Sequence, residues 1–260
     1  MNYKRNKNMS FDFNSNVENQ EAFYSKYTLP PQVRGGVAID LGCNVGLFSL
    51  DNYKNFSHIY AIDASYQNFM TTIEKITKLG IKNINCFNLA AAKKDKEVIK
   101  IYKNEGLHDH VKTLNPSIEA EEMDRLGIAE WHPVDSVSAL TCAEMIDRLH
   151  PEGETARYLK ENGMFHNVYT ISLDGIYEFF DLNYIDYLKI DIEGAEYDFL
   201  LDSDLSRICA MGIEIHGTLG AEKKNKLKQH IGKYFEVYDI QYDNEAPGHS
   251  VITYINKTPA

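Results

Sequence analysis

Short apolar runs alternate along this chain with longer stretches in which apolar residues recur every third or fourth position. Residues 37–40 (VAID), 59–63 (IYAID) and 84–89 (INCFNL) are such runs and read as strands. Between them lie a helical stretch over 45–53 and a second over 66–79, where Phe69, Ile73, Ile76 and Leu79 keep helical spacing before Gly80, a C-cap. Strand, helix, strand, helix, strand with continuously apolar strands implies a parallel sheet buried on both faces and joined by right-handed crossovers. The expected class is therefore α/β.

Residues 98–102 (VIKIY) give one more strand, and there the rhythm breaks. From 104 to about 166 the composition turns polar and acidic, with five of the nine histidines, and the segment reads as an insertion with several helices. Met123 and Leu126, and Met145, Ile146 and Leu149, fall at helical spacings within it. The alternation returns with a strand over 169–173, a helix over 174–181, a strand over 185–191, a helix from about 195 and a strand over 209–215, which completes the sheet. Residues 221–232 read as a Lys-rich surface helix, and 234–242 and 250–256 as an antiparallel pair joined across 243–248 (DNEAPG). Residues 1–32 are polar, rich in Asn and Lys, and end at Pro30 and Pro31, which disfavour helix; they read as an arm ahead of one domain over 33–260. No internal repeat is visible.

Composition narrows the class. Across 260 residues, 43% hydrophobic, 12% aromatic and 25% charged content is that of an ordinary globular protein, which excludes a disordered, collagen-like or coiled-coil chain. With 27 Lys plus Arg against 38 Asp plus Glu the formal charge is -11, so a phosphate backbone is repelled and nucleic acid is not an expected partner. No apolar run is long enough to span a bilayer, and the basic N-terminus has no apolar stretch behind it, so a cytoplasmic protein without a membrane span is expected. Cys43, Cys86, Cys142 and Cys209 form no C-x-x-C pair and read as reduced, mostly buried thiols.

The strongest chemical signal is Asp40-Leu-Gly42-Cys43-Asn44-Val-Gly46, where a strand ends and a helix begins. Its glycines permit a tight turn and close approach of a ligand to the backbone, and ligands of open α/β sheets bind outside the carboxyl ends of the strands at the switch in strand order. Asp63 follows Asp40 by 23 residues, in register to grip ribose hydroxyls at the end of the second strand. A dinucleotide fingerprint would read G-x-G-x-x-G; D-x-G-x-N-x-G resembles instead the first motif of class I S-adenosylmethionine-dependent methyltransferases. An uncharged turn suits a cationic sulfonium, with Asp40 holding the methionine amino group directly or through water. The plainer alternative is a glycine-containing βα turn without a ligand, which Asp63 in register argues against.

Residues 188–196 (LKIDIEGAE) place acids just past a buried strand. Together with residues 40–49, Ser172-Leu-Asp174 and Gly212-Ile-Glu214-Ile-His216, they closely resemble the FkbM family of methyltransferases, over about 35–103 and 168–216. The resemblance implies a Rossmann-like, mostly parallel seven-stranded sheet with helices on both faces, an antiparallel terminal strand and a helical insertion. It also implies S-adenosyl-L-methionine as methyl donor and hydroxyls of sugars, glycans or polyketide-type products as acceptors. Cofactor contacts are then expected from Asp40, Gly42, Cys43, Asn44, Gly46, Asp63, Ala64, Asn88, Leu89 and Asp191.

Methyl transfer is an in-line displacement at carbon, so the protein must align an oxygen with the methyl group and help remove its proton. Asp191 and Glu193 at one strand end, and Glu214 and His216 at the next, would converge beside the sulfonium if those strands are neighbours. His216, with a reference pKa near neutrality, is the expected base and Glu193 the competitor. Against this, Asp191 could cap the following helix, Glu193 and Glu196 could be first-turn acids, and Glu214 with His216 could be a satisfied polar pair. The chemistry requires no metal and none is assigned, although Glu193, Glu214 and His216, or Asp191 in place of one acid, could hold a divalent ion. His108 and His110 are the candidate substrate contacts, or else part of a polar loop. The insertion would be either a lid that shapes the acceptor pocket or a set of solvated helices. The partner expected is a small-molecule or glycan acceptor, with a homodimer left open. A nicotinamide-dependent oxidoreductase and a non-catalytic cofactor-binding module are the alternatives.

Overall fold

The structure is a computed structural model and describes residues 27–102, 147, 154–163, 165–216, 219–242 and 250–258. In chain order the described elements are β1 (Val37–Leu41), α1 (Leu47–Asn52), β2 (His58–Asp63), α2 (Tyr66–Leu79), β3 (Ile84–Asn88), β4 (Ala90–Ala91), β5 (Val98–Tyr102) and α3 (Thr155–Asn162). They continue with β6 (Phe165–Ile171), α4 (Leu173–Phe179), β7 (Ile185–Ile190), α5 (Glu196–Leu200), β8 (Ile208–Ile215), α6 (Gly220–Ile231), β9 (Phe235–Tyr242) and β10 (Ser250–Asn256). Seven strands form one sheet in the order β3-β2-β1-β7-β8-β10-β9. The first five run parallel, and β10 enters antiparallel between β8 and β9. Strand order therefore reverses between β1 and β7, the position at which an α/β sheet opens a crevice.

Strand periodicity of two divides the core between the two faces. Ile39 and Leu41 of β1 with Leu188 and Ile190 of β7 pack on one face, while Ala38 and Tyr187 join Phe48 and Phe56 on the other. Tyr187 stacks on Phe48 of α1 with centroids 5.9 Å apart, and each such fully buried large side chain stabilises the fold by ~1.5–3 kcal/mol. The second helix forms as its sequence predicts. Ser65 accepts from the Asn68 amide at its start, and Gly80, at φ 67°, donates to the Ile76 and Thr77 carbonyls at its end.

The structure corrects the sequence reading in several places. β5 and β6 do not extend the main sheet but build a second, three-stranded one in the order β4-β6-β5. β6 alternates exposed Phe165, Asn167 and Tyr169 with buried Val168 and Thr170, so it has one apolar face and cannot sit inside a doubly covered sheet. It begins at Phe165, inside the segment read as insertion, and ends at Ile171 because Ser172 caps α4 by accepting from the Gly175 amide. The helix expected over 45–53 begins only at Leu47, after left-handed Gly46, and passes into a 3-10 turn over Tyr53–Asn55. The end of the expected arm is core: Tyr27 is buried and Leu29 packs beside it, while Pro30 is extended as expected and Pro31–Val33 is a 3-10 turn. Of the described cysteines only Cys43 is buried. No helix among the described residues is long and apolar enough to cross a membrane. His108, His110, Cys142, Met123 and Met145 lie outside the described residues, as do residues 1–26.

Candidate functional site

The loop after β1 is held against its neighbours by main-chain contacts. The Gly42 and Cys43 amides both donate to the Ile62 carbonyl, at 2.9 and 3.1 Å. Gly42 has φ 68°, and a Cβ there would overlap the Asp191 carbonyl oxygen, so the loop rests directly on the end of β7 and the position requires glycine. From α2, Thr72 Oγ1 donates to the Asn44 carbonyl and Lys75 Nζ to the Val45 carbonyl, both at 3.1 Å.

Asp63 ends β2 directly beside this loop. Its carboxylate accepts from the Asn44 amide (2.7 Å), the Ser65 amide (2.9 Å) and Asn68 Nδ2 (3.2 Å). Burial pushes its pKa up to about 6, against the opposing pull of those hydrogen bonds and of Lys189. A carboxylate has about four acceptor sites, so about one remains for a ligand hydroxyl where the sequence suggested two would be gripped. Asn88 Nδ2 donates to the carbonyls of Asp63 and Ala64, at 3.0 and 2.9 Å, and His166 Nε2 stands 2.8 Å from the Ala64 carbonyl. Leu89 packs against the main core. The tips of β1, β2 and β3 thus gather Gly42, Cys43, Asn44, Gly46, Asp63, Ala64, Asn88 and Leu89 in one place.

Asp40 is placed differently from the expectation. It is wholly buried, takes the Ser49 hydroxyl on Oδ2 at 2.7 Å, and pairs through Oδ1 with Lys189 Nζ at 3.2 Å. The two face each other in the β1–β7 register, and Asp40 supports the loop from beneath instead of presenting an oxygen to a ligand. Lys189, with a side chain 3% exposed, also donates to the carbonyls of Leu41 (3.3 Å) and Gly42 (2.6 Å). Burial alone would lower its pKa; the carboxylates of Asp40 and Asp191 outweigh that and hold it above the usual lysine value.

β7 and β8 are neighbours, and the acids at their ends converge on His216. The His216 ring has Nδ1 2.8 Å from Glu196 Oε1, and Nε2 3.4 Å from Glu193 Oε2 and 3.8 Å from Asp191 Oδ1. Burial works against the charged ring, but Glu196 first, then Glu193 and Asp191, raise its pKa to about 9. These carboxylates favour the charged ring over the neutral one, which is the form a base would need. Glu193 sits in a left-handed turn at φ 56°, and its side chain is 47% exposed against 6% for His216. Partial burial raises the Glu193 carboxyl; His216 counteracts this and Asp191 adds to it. Glu214 is buried on β8, where its charge raises the Glu193 carboxyl and the Tyr27 hydroxyl.

Three contributors were absent from the candidate set. Glu196 is not a solvated first-turn acid: it is wholly buried, and its Oε1 accepts from the Ile192 and Gly194 amides at 3.2 and 3.1 Å besides meeting His216. Its spacing to buried Phe199 and Leu200 on α5 was the available signal. Lys189 is a charge inside an otherwise apolar strand, which requires a buried partner. Tyr27 donates to Asp191 Oδ2 at 3.1 Å across 164 positions of sequence, and nothing local announces it.

The chain matches the family model described as a methyltransferase FkbM domain over residues 42–243. No curated protein matches it. Among solved structures, methyltransferase FkbM from Methylobacillus flagellatus KT aligns with a TM-score of 0.46 and 9% identity over 89% of this chain and 49% of that one, so this chain spans about half its length. Fibrillarin from Aeropyrum pernix, with natively bound S-adenosyl-L-methionine, gives 0.43 and 11% over 87% and 69%. TrmK from M. capricolum, in complex with S-adenosyl-homocysteine, gives 0.41 and 11% over 86% and 63%.

Proposed function

This chain belongs to the FkbM methyltransferase family, and from that premise we propose that it transfers a methyl group from S-adenosylmethionine to a hydroxyl oxygen of a sugar or similar natural product. The observation that carries the reading is the placement of a glycine loop with Asp63 and of an acid–histidine cluster at adjoining strand ends, one on each side of the switch point. The nucleoside lies along residues 42–46, one ribose hydroxyl donating to the remaining acceptor site of Asp63, with Ala64, Asn88 and Leu89 bordering the base. The sulfonium then points toward Glu193.

In the reaction a lone pair of the hydroxyl oxygen forms the new O–CH₃ bond while the C–S bond breaks, its electron pair stays on sulfur, and the hydroxyl proton leaves. Glu193 takes that proton in this reading because it is the exposed carboxylate of the cluster. His216 and Asp191, held from behind, are positioning residues. Alignment can contribute ~7–11 kcal/mol and a base ~10²–10⁴-fold in rate, so the rigid main-chain loop matters more than the identity of the base. The acids at this end would repel a phosphate beside the reacting oxygen, which favours an uncharged sugar hydroxyl. His108 and His110 are retained as proposed acceptor contacts.

Calorimetric titration of the full chain with S-adenosylmethionine, followed by a labelled-methyl assay over neutral sugars, nucleotide sugars and glycans, tests this. Binding with methyl incorporation into a hydroxyl supports the reading. Absence of cofactor binding, or incorporation at nitrogen or carbon, overturns it.

A further inference from the structure

We propose that Asp191, Glu193 and His216 bind one divalent cation of the magnesium or manganese class. One ligand-capable atom from each lies within 4.8 Å of the others. Donors on an octahedral ion at ~2.1 Å lie about 3.0 Å apart when adjacent and about 4.2 Å apart when opposite. The distances from His216 Nε2 to Glu193 Oε2 and Asp191 Oδ1, 3.4 and 3.8 Å, fall inside that range.

The anchoring of each ligand from outside the trio separates this group from an ordinary patch of surface acids. His216, a buried ring aimed by its Nε2 at the two carboxylates, is fixed through Nδ1 by Glu196, which is itself held by two main-chain amides. Asp191 is fixed through Oδ2 by the Tyr27 hydroxyl at 3.1 Å and faces Lys189 at 3.8 Å, which turns Oδ1 toward the imidazole. A carboxylate behind a ligating histidine sets its tautomer and raises its basicity, the usual arrangement around protein-bound metals, and the arriving cation displaces the Nε2 proton of the ring. The charge balance points the same way: four carboxylates, Asp191, Glu193, Glu196 and Glu214, act on one another at this end of the sheet, an environment that favours a cation. Two carboxylate oxygens and one imidazole suit a hard cation that keeps other positions for water or a hydroxyl.

The site's use, though not its existence, rests on the methyl-transfer reading. A bound cation would lower the pKa of a coordinated acceptor hydroxyl, and Glu193, ligating through one oxygen, would keep the other for the proton.

The test titrates chelator-treated full chain with MnCl₂, without cofactor, and reads free Mn²⁺ by electron paramagnetic resonance. One saturable ion per chain, displaced by Mg²⁺, is expected. Glu193→Gln, at a half-exposed turn where the fold is not at stake, should weaken binding at least ~10-fold, and Glu196→Gln by ~10–100-fold; circular dichroism checks folding of the latter. No saturation by about 1 mM, or unchanged affinity in Glu193→Gln, overturns the site. S-adenosylmethionine binding is measured separately on metal-free protein. Its failure with Mn²⁺ binding intact would remove the methyl-transfer reading and leave the cation site standing.

Discussion

At the tips of β1, β2 and β3 the polar contacts are made largely by main chain: amides of residues 42–44 meet a carbonyl and a carboxylate, and side chains of α2 reach back to loop carbonyls. At the tips of β7 and β8 they are made by charged side chains, several of them held by partners distant in sequence. The first end keeps its form through contacts to the loop backbone. The second depends on a balance of buried charges, where loss of one partner strands the other.

Lys189→Met should give the largest effect, a loss of ~3–5 kcal/mol in urea denaturation, because Asp40 would stay buried without its cation. Adding Asp40→Asn should restore a good part of it; strict additivity in that cycle would break the contrast between the two ends. Gly42→Ala comes next at roughly 2–4 kcal/mol, from the left-handed backbone and the overlap with the Asp191 carbonyl. Asp63→Ala should cost ~1–3 kcal/mol of stability, because Asn44, Ser65 and Asn68 lose their acceptor, and weaken S-adenosylmethionine ~10–100-fold by calorimetry, the worth of one hydrogen bond to a charged group. pH sharpens that test. With a folded pKa of about 6 against 3.8, the buried acid stabilises the unliganded fold when protonated, an effect complete below 3.8 and lost as pH rises through about 6. Cofactor affinity runs the other way, falling by up to ~10-fold for each unit below 6 because the protonated carboxyl is a weaker acceptor than the carboxylate. A flat affinity profile would remove Asp63 from the ligand. Tyr27→Phe should have the smallest effect on stability, about 0.5–1.5 kcal/mol.

The same contrast explains what the sequence could reveal. The α/β alternation over residues 37–88, the Gly80 cap of α2 and the positions of Gly42 and Asp63 at adjoining strand ends are local signals, and the structure shows each of them. The chemistry around His216 is not local: Glu196, Lys189 and Tyr27 acquire their roles through contacts across 20 to 164 positions. The pairing of Asp40 with Lys189 is not legible in the sequence because the lysine lies on the neighbouring strand, 149 positions later by the numbering, and only the register joins them. The placing of β6 failed because its alternation of exposed and buried residues shows only once the covered face is known.

One contact has a mechanical consequence. Because the Gly42 backbone sits where any side chain would strike the Asp191 carbonyl, the loop has no slack on that side. A ligand that lifts or presses it by more than a fraction of an ångström must drag the end of β7 along, since packed interiors transmit small displacements instead of absorbing them. A load placed on the loop would therefore bear directly on the end of β7, the strand that leads into Asp191 and Glu193.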